Sequence, residues 1–149
     1  MINTVVKSSD YTDRYVTYDV LDDGFGQGAL YTVVNQAENL PTMYQKFYVY
    51  KDMPYALVQV ELGSDNEIST NFMAPISTSG ENVVDIGTKT DARALFVPFS
   101  NDGYTAYNPE TLNGAHTSYF VTAIFDNNSR NSVIAGSVDH DTWLSLIHI

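Results

Sequence analysis

The chain has 149 residues, a length that suits one domain or part of a larger protein. Lys and Arg total 7 against 18 Asp and Glu, a net charge of −11, so the basic footprint of a nucleic-acid or anionic-membrane binder is missing. Hydrophobic residues make up 44 %, enough for a folded core, and no apolar run reaches bilayer length. Cysteine is absent, which excludes thiol catalysis, thiolate metal sites and disulfides. The first ten residues lack the basic and apolar segments of a signal peptide.

Eleven Tyr, seven Phe and frequent Val and Thr favour a pleated, half-buried surface. Arg14–Val20 alternates, with Val16, Tyr18 and Val20 on one face. The glycine-rich run Gly24-Phe25-Gly26-Gln27-Gly28 follows the turn residues Asp22 and Asp23. It is not G-x-G-x-x-G and leads into a strand, so it is expected to be a flexible connection and not a phosphate cradle, which needs a helix N-terminus. Ala29–Asn35 is the next strand. Tyr44–Tyr50 and Tyr55–Leu62 form a hairpin around Lys51-Asp52-Met53-Pro54. Ser64-Asp65-Asn66 is a turn, Ile68–Ile76 a less regular strand, Asn82–Ile86 a short strand, and Ala94–Val97 a strand stopped by Pro98.

The pattern allows one helical turn near Pro109–Leu112. Ser118–Phe125 and Ser132–Val138 pair through the loop from Asp126 to Asn131. In the first, Tyr119, Val121, Ala123 and Phe125 share a face while Phe120 and Ile124 occupy the other. A strand apolar on both sides belongs in the middle of a sheet. These elements predict an all-β, antiparallel β-sandwich of roughly eight to ten strands.

Chemistry-bearing motifs are sparse. There is no G-x-S-x-G elbow and no two-histidine metal motif around His116, His140 or His148. Asp139-His140-Asp141 could bind a cation or orient an imidazole, although a polar strand end explains it more simply. Asn127-Asn128-Ser129 fits a glycosylation acceptor and also ordinary turn chemistry. A mutarotase-type sandwich needs a facing Glu and His, and no spacing among five Glu and three His points to such a pair. The segment Pro98–Tyr104 with Tyr107 combines amides, a carboxylate and flat rings, a mixture that suits sugar hydroxyls and C–H faces as well as it suits a turn.

Three stretches carry a family resemblance. They are Phe47-Tyr48-Val49-Tyr50 with Pro54-Tyr55-Ala56-Leu57-Val58, then Leu95–Gly103, then Ser129–Trp143. Together they resemble the N-terminal β-sandwich domain (supersandwich, galactose mutarotase-like) of bacterial α-galactosidase-like, melibiase-type glycoside hydrolases. The resemblance spans most of the chain up to Trp143. It implies an accessory domain, inactive by itself, packed on a (β/α)8 barrel that holds the two catalytic aspartates of a retaining mechanism. No catalytic residue, metal or cofactor is then expected in this chain.

The resemblance also implies carbohydrate, an α-galactoside or related oligosaccharide, as the ligand. Asn101, Asp102, Tyr104, Asp139, His140, Asp141 and Trp143 become candidate sugar contacts at the barrel's rim, and Tyr107 joins the list from the chemistry of its loop. The barrel itself and a second copy are the expected partners. A periplasmic or secreted bacterial setting is expected ahead of a cytoplasmic one. A free-standing carbohydrate-binding or cell-surface sandwich is the alternative. The ending Leu144-Ser145-Leu146-Ile147-His148-Ile149 resembles the translation of a transposase end used in DNA library preparation, so residues 1–143 are expected to be the natural domain and 144–149 an adaptor-derived tail.

Overall fold

A computed structural model of the chain describes residues 5–80, 83–87, 89–99, 107–139 and 144–149. The fold is all-β, and every strand among the described residues pairs antiparallel. It divides into two compact units, Met1–Thr78 and Ser79–Ile149.

The first unit is a four-stranded meander, β1 (Asp13–Asp23), β2 (Gly26–Gln36), β3 (Thr42–Tyr50) and β4 (Ala56–Gly63), in the order β1-β2-β3-β4. Its strands are where alternation and turn residues predict them, because each pairs with its neighbour in sequence and needs only local turn chemistry. Asp52, with φ 58°, turns the chain between β3 and β4, and Asn39, with φ 63°, does so between β2 and β3. The loop between β1 and β2 corrects one expectation. It is a tight two-residue turn, Gly24-Phe25, with Asp23 Oδ1 accepting from the Phe25 N–H at 2.8 Å, and Gly26 to Gly28 already belong to β2.

Pair register aligns four rows on one face: Arg14–Asn35–Met43–Leu62, Val16–Val33–Gln45–Val60, Tyr18–Tyr31–Phe47–Val58 and Val20–Ala29–Val49–Ala56. The opposite face holds Val34, Thr32 and Tyr50, all buried. Asn35 is the buried polar member of the first row. Its Oδ1 accepts from Arg14 Nε at 2.6 Å, and its Nδ2 donates to Met43 O at 3.2 Å and Gln45 Oε1 at 3.2 Å. A buried amide is tolerated when its partners are supplied in this way.

The second unit holds β5 (Ala92–Phe96), β6 (Asn108–Thr111), β7 (Thr117–Tyr119), β8 (Val121–Asp126), β9 (Ser132–Gly136) and β10 (Leu146–His148). Four form a sheet in the order β6-β5-β8-β9, with β8 in an interior position as its two-faced apolarity predicts. The other two pair with each other, Ile147 opposite Ser118. β10 lies within residues 144–149, the segment expected to be an adaptor-derived tail, and His116 and Ile149 exchange backbone hydrogen bonds at 2.8 and 3.0 Å.

Four further expectations are corrected. Ile68–Ile76 forms no strand; it bends at Asn71 and Pro75, is exposed apart from half-buried Met73, and Thr70 Oγ1 bonds locally to Phe72, so its apolar residues find no ladder partner. Residues 83–86 of the expected Asn82–Ile86 strand are also unpaired, and Asn82 lies outside the described residues. The helical turn near Pro109–Leu112 is instead strand β6, because Ala94 and Leu95 of β5 supply ladder partners to Glu110 and Pro109. Pro109 sits on an edge strand, where a missing donor is tolerated.

Finally, Ser118–Phe125 is not continuous. Phe120 adopts φ 65° and divides it into β7 and β8, which sends Tyr119 to a different sheet from Val121, Ala123 and Phe125. Ser118, fully buried, holds the break: its Oγ donates to Val121 O at 2.6 Å and accepts from the Val97 N–H at 2.8 Å.

Candidate functional site

Of the candidate sugar contacts, Asn101, Asp102, Tyr104, His140, Asp141 and Trp143 lie outside the described residues. Tyr107 and Asp139 are described, and both are exposed. Tyr107 directly precedes β6, while Asp139 follows β9 and its carbonyl accepts from Ser137 Oγ at 2.9 Å. Because β6 and β9 are the two outer strands of the β6-β5-β8-β9 sheet, the two residues are carried at opposite edges.

The start of the aromatic loop is anchored. Phe99 lies tilted against Tyr119 of β7, ring centroids 5.0 Å apart, with Phe99 63 % exposed. Ring pairs at this separation attract one another beyond the area they bury. Nearby in sequence, His116 stacks on Phe96 at 4.3 Å, its Nδ1 3.3 Å from Glu110 Oε2 and its Nε2 2.9 Å from Asn113 O.

The most organised polar cluster surrounds Asp126, at the end of β8. Its side chain is fully buried. Oδ1 accepts from the N–H groups of Ser129 at 2.8 Å and Asn128 at 3.0 Å, and Oδ2 accepts from the Asp91 N–H at 2.7 Å and Thr90 Oγ1 at 3.3 Å. The backbone donors, first Ser129 and then Asp91, hold this carboxyl well below the usual aspartate range against the opposing effect of burial.

Around it, Asn127 Nδ2 donates to Asp91 Oδ2 at 3.1 Å, Asn128 Nδ2 to Thr90 Oγ1 at 3.0 Å, and Asn131 Nδ2 to Ile86 O at 3.2 Å. Every one of these groups ties the hairpin loop to the segment before β5. The cluster is a clasp, and Asn127 of the glycosylation triplet is a working part of it. Sequence reading placed the loop but not the clasp. The signal was the Asp-Asn-Asn-Ser order itself, in which an Asp accepts backbone N–H groups two and three residues ahead.

One further recess lies in the second unit, a hollow of about 450 Å3 with aliphatic walls from Val83, Val84, Ile86, Leu112, Ile124 and Ile149, and with Lys89 at its lining. The described residues hold no group of three or more His, Cys, Asp or Glu able to bind a metal ion. No helix among them is long and apolar enough to cross a membrane. No protein-family model, curated protein or solved structure matches the chain.

Proposed function

We propose that this chain is an accessory β-domain of an α-galactosidase-like glycoside hydrolase, acting by contact with a (β/α)8 catalytic barrel and not by chemistry of its own. The observation that carries this reading is the apolar face of the first unit. Val16, Tyr18 and Val20 are 59, 58 and 80 % exposed, and Tyr31 and Val49 lie exposed beside them. From strand spacing and rise, four strands over about seven residues present a face on the order of 450 Å2. Exposed apolar patches of a few hundred Å2 are often functional surfaces, and here Val16, Tyr18, Val20, Tyr31 and Val49 supply the apolar part of the face. The buried carboxylate Asp126 does not compete with this view, since its oxygens accept from Asn128 and Ser129 of the loop and from Thr90 and Asp91 before β5.

The test is twofold. Sequencing the source gene past codon 143 should reveal an in-frame (β/α)8 barrel, and an open frame without one refutes the proposal. The purified chain should release no product from an aryl α-galactoside, and turnover would place chemistry within it.

A second reading, a carbohydrate-binding module, rests on the Phe99–Tyr119 pair with exposed Tyr107. Calorimetric titration with galactosides and plant oligosaccharides separates the two. Binding abolished by Tyr107→Ala favours the module, and no heat across the panel leaves the accessory domain.

A further inference from the structure

Strand β1 forms one edge of its sheet, and among the described strands its backbone ladder pairs only with β2. The direction of its outer groups follows from the hairpin. A two-residue turn is closed by a pair that exchanges both backbone hydrogen bonds, here Asp23 and Gly26, and bonded pairs alternate from there. Asp13, Tyr15, Thr17, Asp19, Leu21 and Asp23 therefore face β2 with their N–H and C=O groups. Arg14, Val16, Tyr18, Val20 and Asp22 turn theirs outward. The next strand agrees: the Lys51 N–H donates to Gln27 O at 2.8 Å, so Gln27, the partner of Asp22, directs its backbone at β3 and away from β1. The eleven β1–β2 pairs run without a bulge, and β1 contains neither lysine nor proline. Bulges, lysine and proline are among the usual devices that keep an edge from pairing; charge is another, and β1 carries four Asp and one Arg, so the register must place these charges favourably.

We propose that β1 is a self-association edge, on which a second copy of this chain adds its own β1 antiparallel about a two-fold axis at Tyr18. In that register Tyr18 faces Tyr18, Val16 faces Val20, and Arg14 faces Asp22. Three properties select it. The strand is overlaid on itself along its whole length, Asp13 opposite Asp23. The outward-pointing residues meet only outward-pointing residues, as bonded antiparallel pairs require, and registers displaced by one residue fail this condition. Arg14, the only cation of the strand, meets an opposite charge twice by symmetry. Sliding one copy by two residues sets Arg14 against Val20 or Gly24 and leaves Asp22 against Thr12 or Val16.

The apolar faces of both sheets then lie on the same side and form one continuous eight-stranded surface. The opposing effect is the Asp13–Asp23 pair at each end. It is moderated because Asp23 accepts from Phe25 N–H, Gly26 N–H and Tyr50 Oη at 2.8, 3.3 and 3.1 Å. This edge is distinct from the face assigned to the barrel, and it stands whether or not that assignment does.

The absence of cysteine makes the register testable in the full chain. Opposed residues in a bonded antiparallel pair lie about 5.5 Å apart at Cα, within disulfide range. Tyr18→Cys should form a covalent dimer under mild oxidation at least about tenfold faster than Val16→Cys, whose counterpart lies four residues along, roughly 13 Å away. In sedimentation equilibrium, Asp22→Arg should weaken the dimer about tenfold or more, and combining it with Arg14→Asp should restore it.

Arg14 also supports buried Asn35, so a thermal melt accompanies the double variant, and if that variant is unfolded the cysteine pair decides. Equal crosslinking at positions 16 and 18 overturns the proposal. So does a wild-type chain that stays monomeric up to about 100 μM, or a dimer undiminished by Asp22→Arg, which would mean association through the sheet face.

Discussion

Gly28→Ala is the most direct probe of how the first unit is held together. A Cβ at this position would stand 2.1 Å from Val49 O, 2.8 Å from Tyr50 Cα and 2.9 Å from Val49 C, all backbone atoms of the neighbouring strand. A carbon ordinarily approaches a carbonyl oxygen to about 3.3–3.6 Å. The end of β3 must therefore move by about 1 Å or more.

That motion strains the Lys51 N–H to Gln27 O bond and the ladder at Ala29–Val49. Two hydrogen bonds account for roughly 1–3 kcal/mol. Partial exposure of Tyr50, now 4 % exposed, adds roughly 1–2 kcal/mol. The lower chain entropy of unfolded alanine returns about 0.4–1 kcal/mol. The net expectation is a loss of about 2–4 kcal/mol. At a urea dependence of about 1–3 kcal/mol per molar, the midpoint should fall by about 1 M or more.

Urea titration followed by far-UV circular dichroism reads the midpoint, and amide exchange at Lys51 reads the local opening. Gly24→Ala is the control, because its Cβ meets nothing within 4 Å. A Gly28→Ala midpoint equal to that of Gly24→Ala, with unchanged Lys51 protection, would refute the close-approach argument.

Three further outcomes are expected. Asp126 has a folded pKa below its unfolded value, so its stabilisation is complete above about pH 4 and is lost as pH falls through the folded value; Asp126→Asn should flatten the acid limb of a stability-against-pH curve measured by thermal melting. Tyr50 shows the reverse case: burial first, then its hydrogen bond to Asp23, push its pKa from about 10 up to about 12. Its contribution is full below about pH 10 and vanishes as pH rises through about 12, so Tyr50→Phe should lose the alkaline slope in the same experiment. Asn35→Ala strands the Arg14 donor and the partners at Met43 and Gln45, and should lower stability by about 2–4 kcal/mol in urea titration.

The candidate site was less legible than the fold. The chemistry of Tyr107 and Asp139 says nothing of which sheet edge carries them; the strand order does, and it separates them. The Asp126 clasp was unreadable for a related reason. Its loop half, Asn128 and Ser129, is local to the aspartate, but its other half, Thr90 and Asp91, lies more than thirty residues away and is recruited only when β5 pairs with β8. The glycines after β1 are legible as punctuation, yet Gly28 is required by its close approach to the β3 backbone, while a Cβ on Gly24 would meet nothing within 4 Å.

Sequence alone determined the all-β character, the strand segments and one hairpin of the first unit, and the interior position of the segment that contains β8. Those features rest on side-chain alternation and turn residues that act over a few positions. Tertiary structure alone decided that Ile68–Ile76 stays unpaired, that Pro109 enters a strand, and that Phe120 takes a left-handed backbone which divides one expected strand between two sheets. In each case the deciding quantity is whether a distant strand supplies hydrogen-bond partners. A strand is completed by its neighbour, and alternation within a segment does not reveal which neighbour will be there.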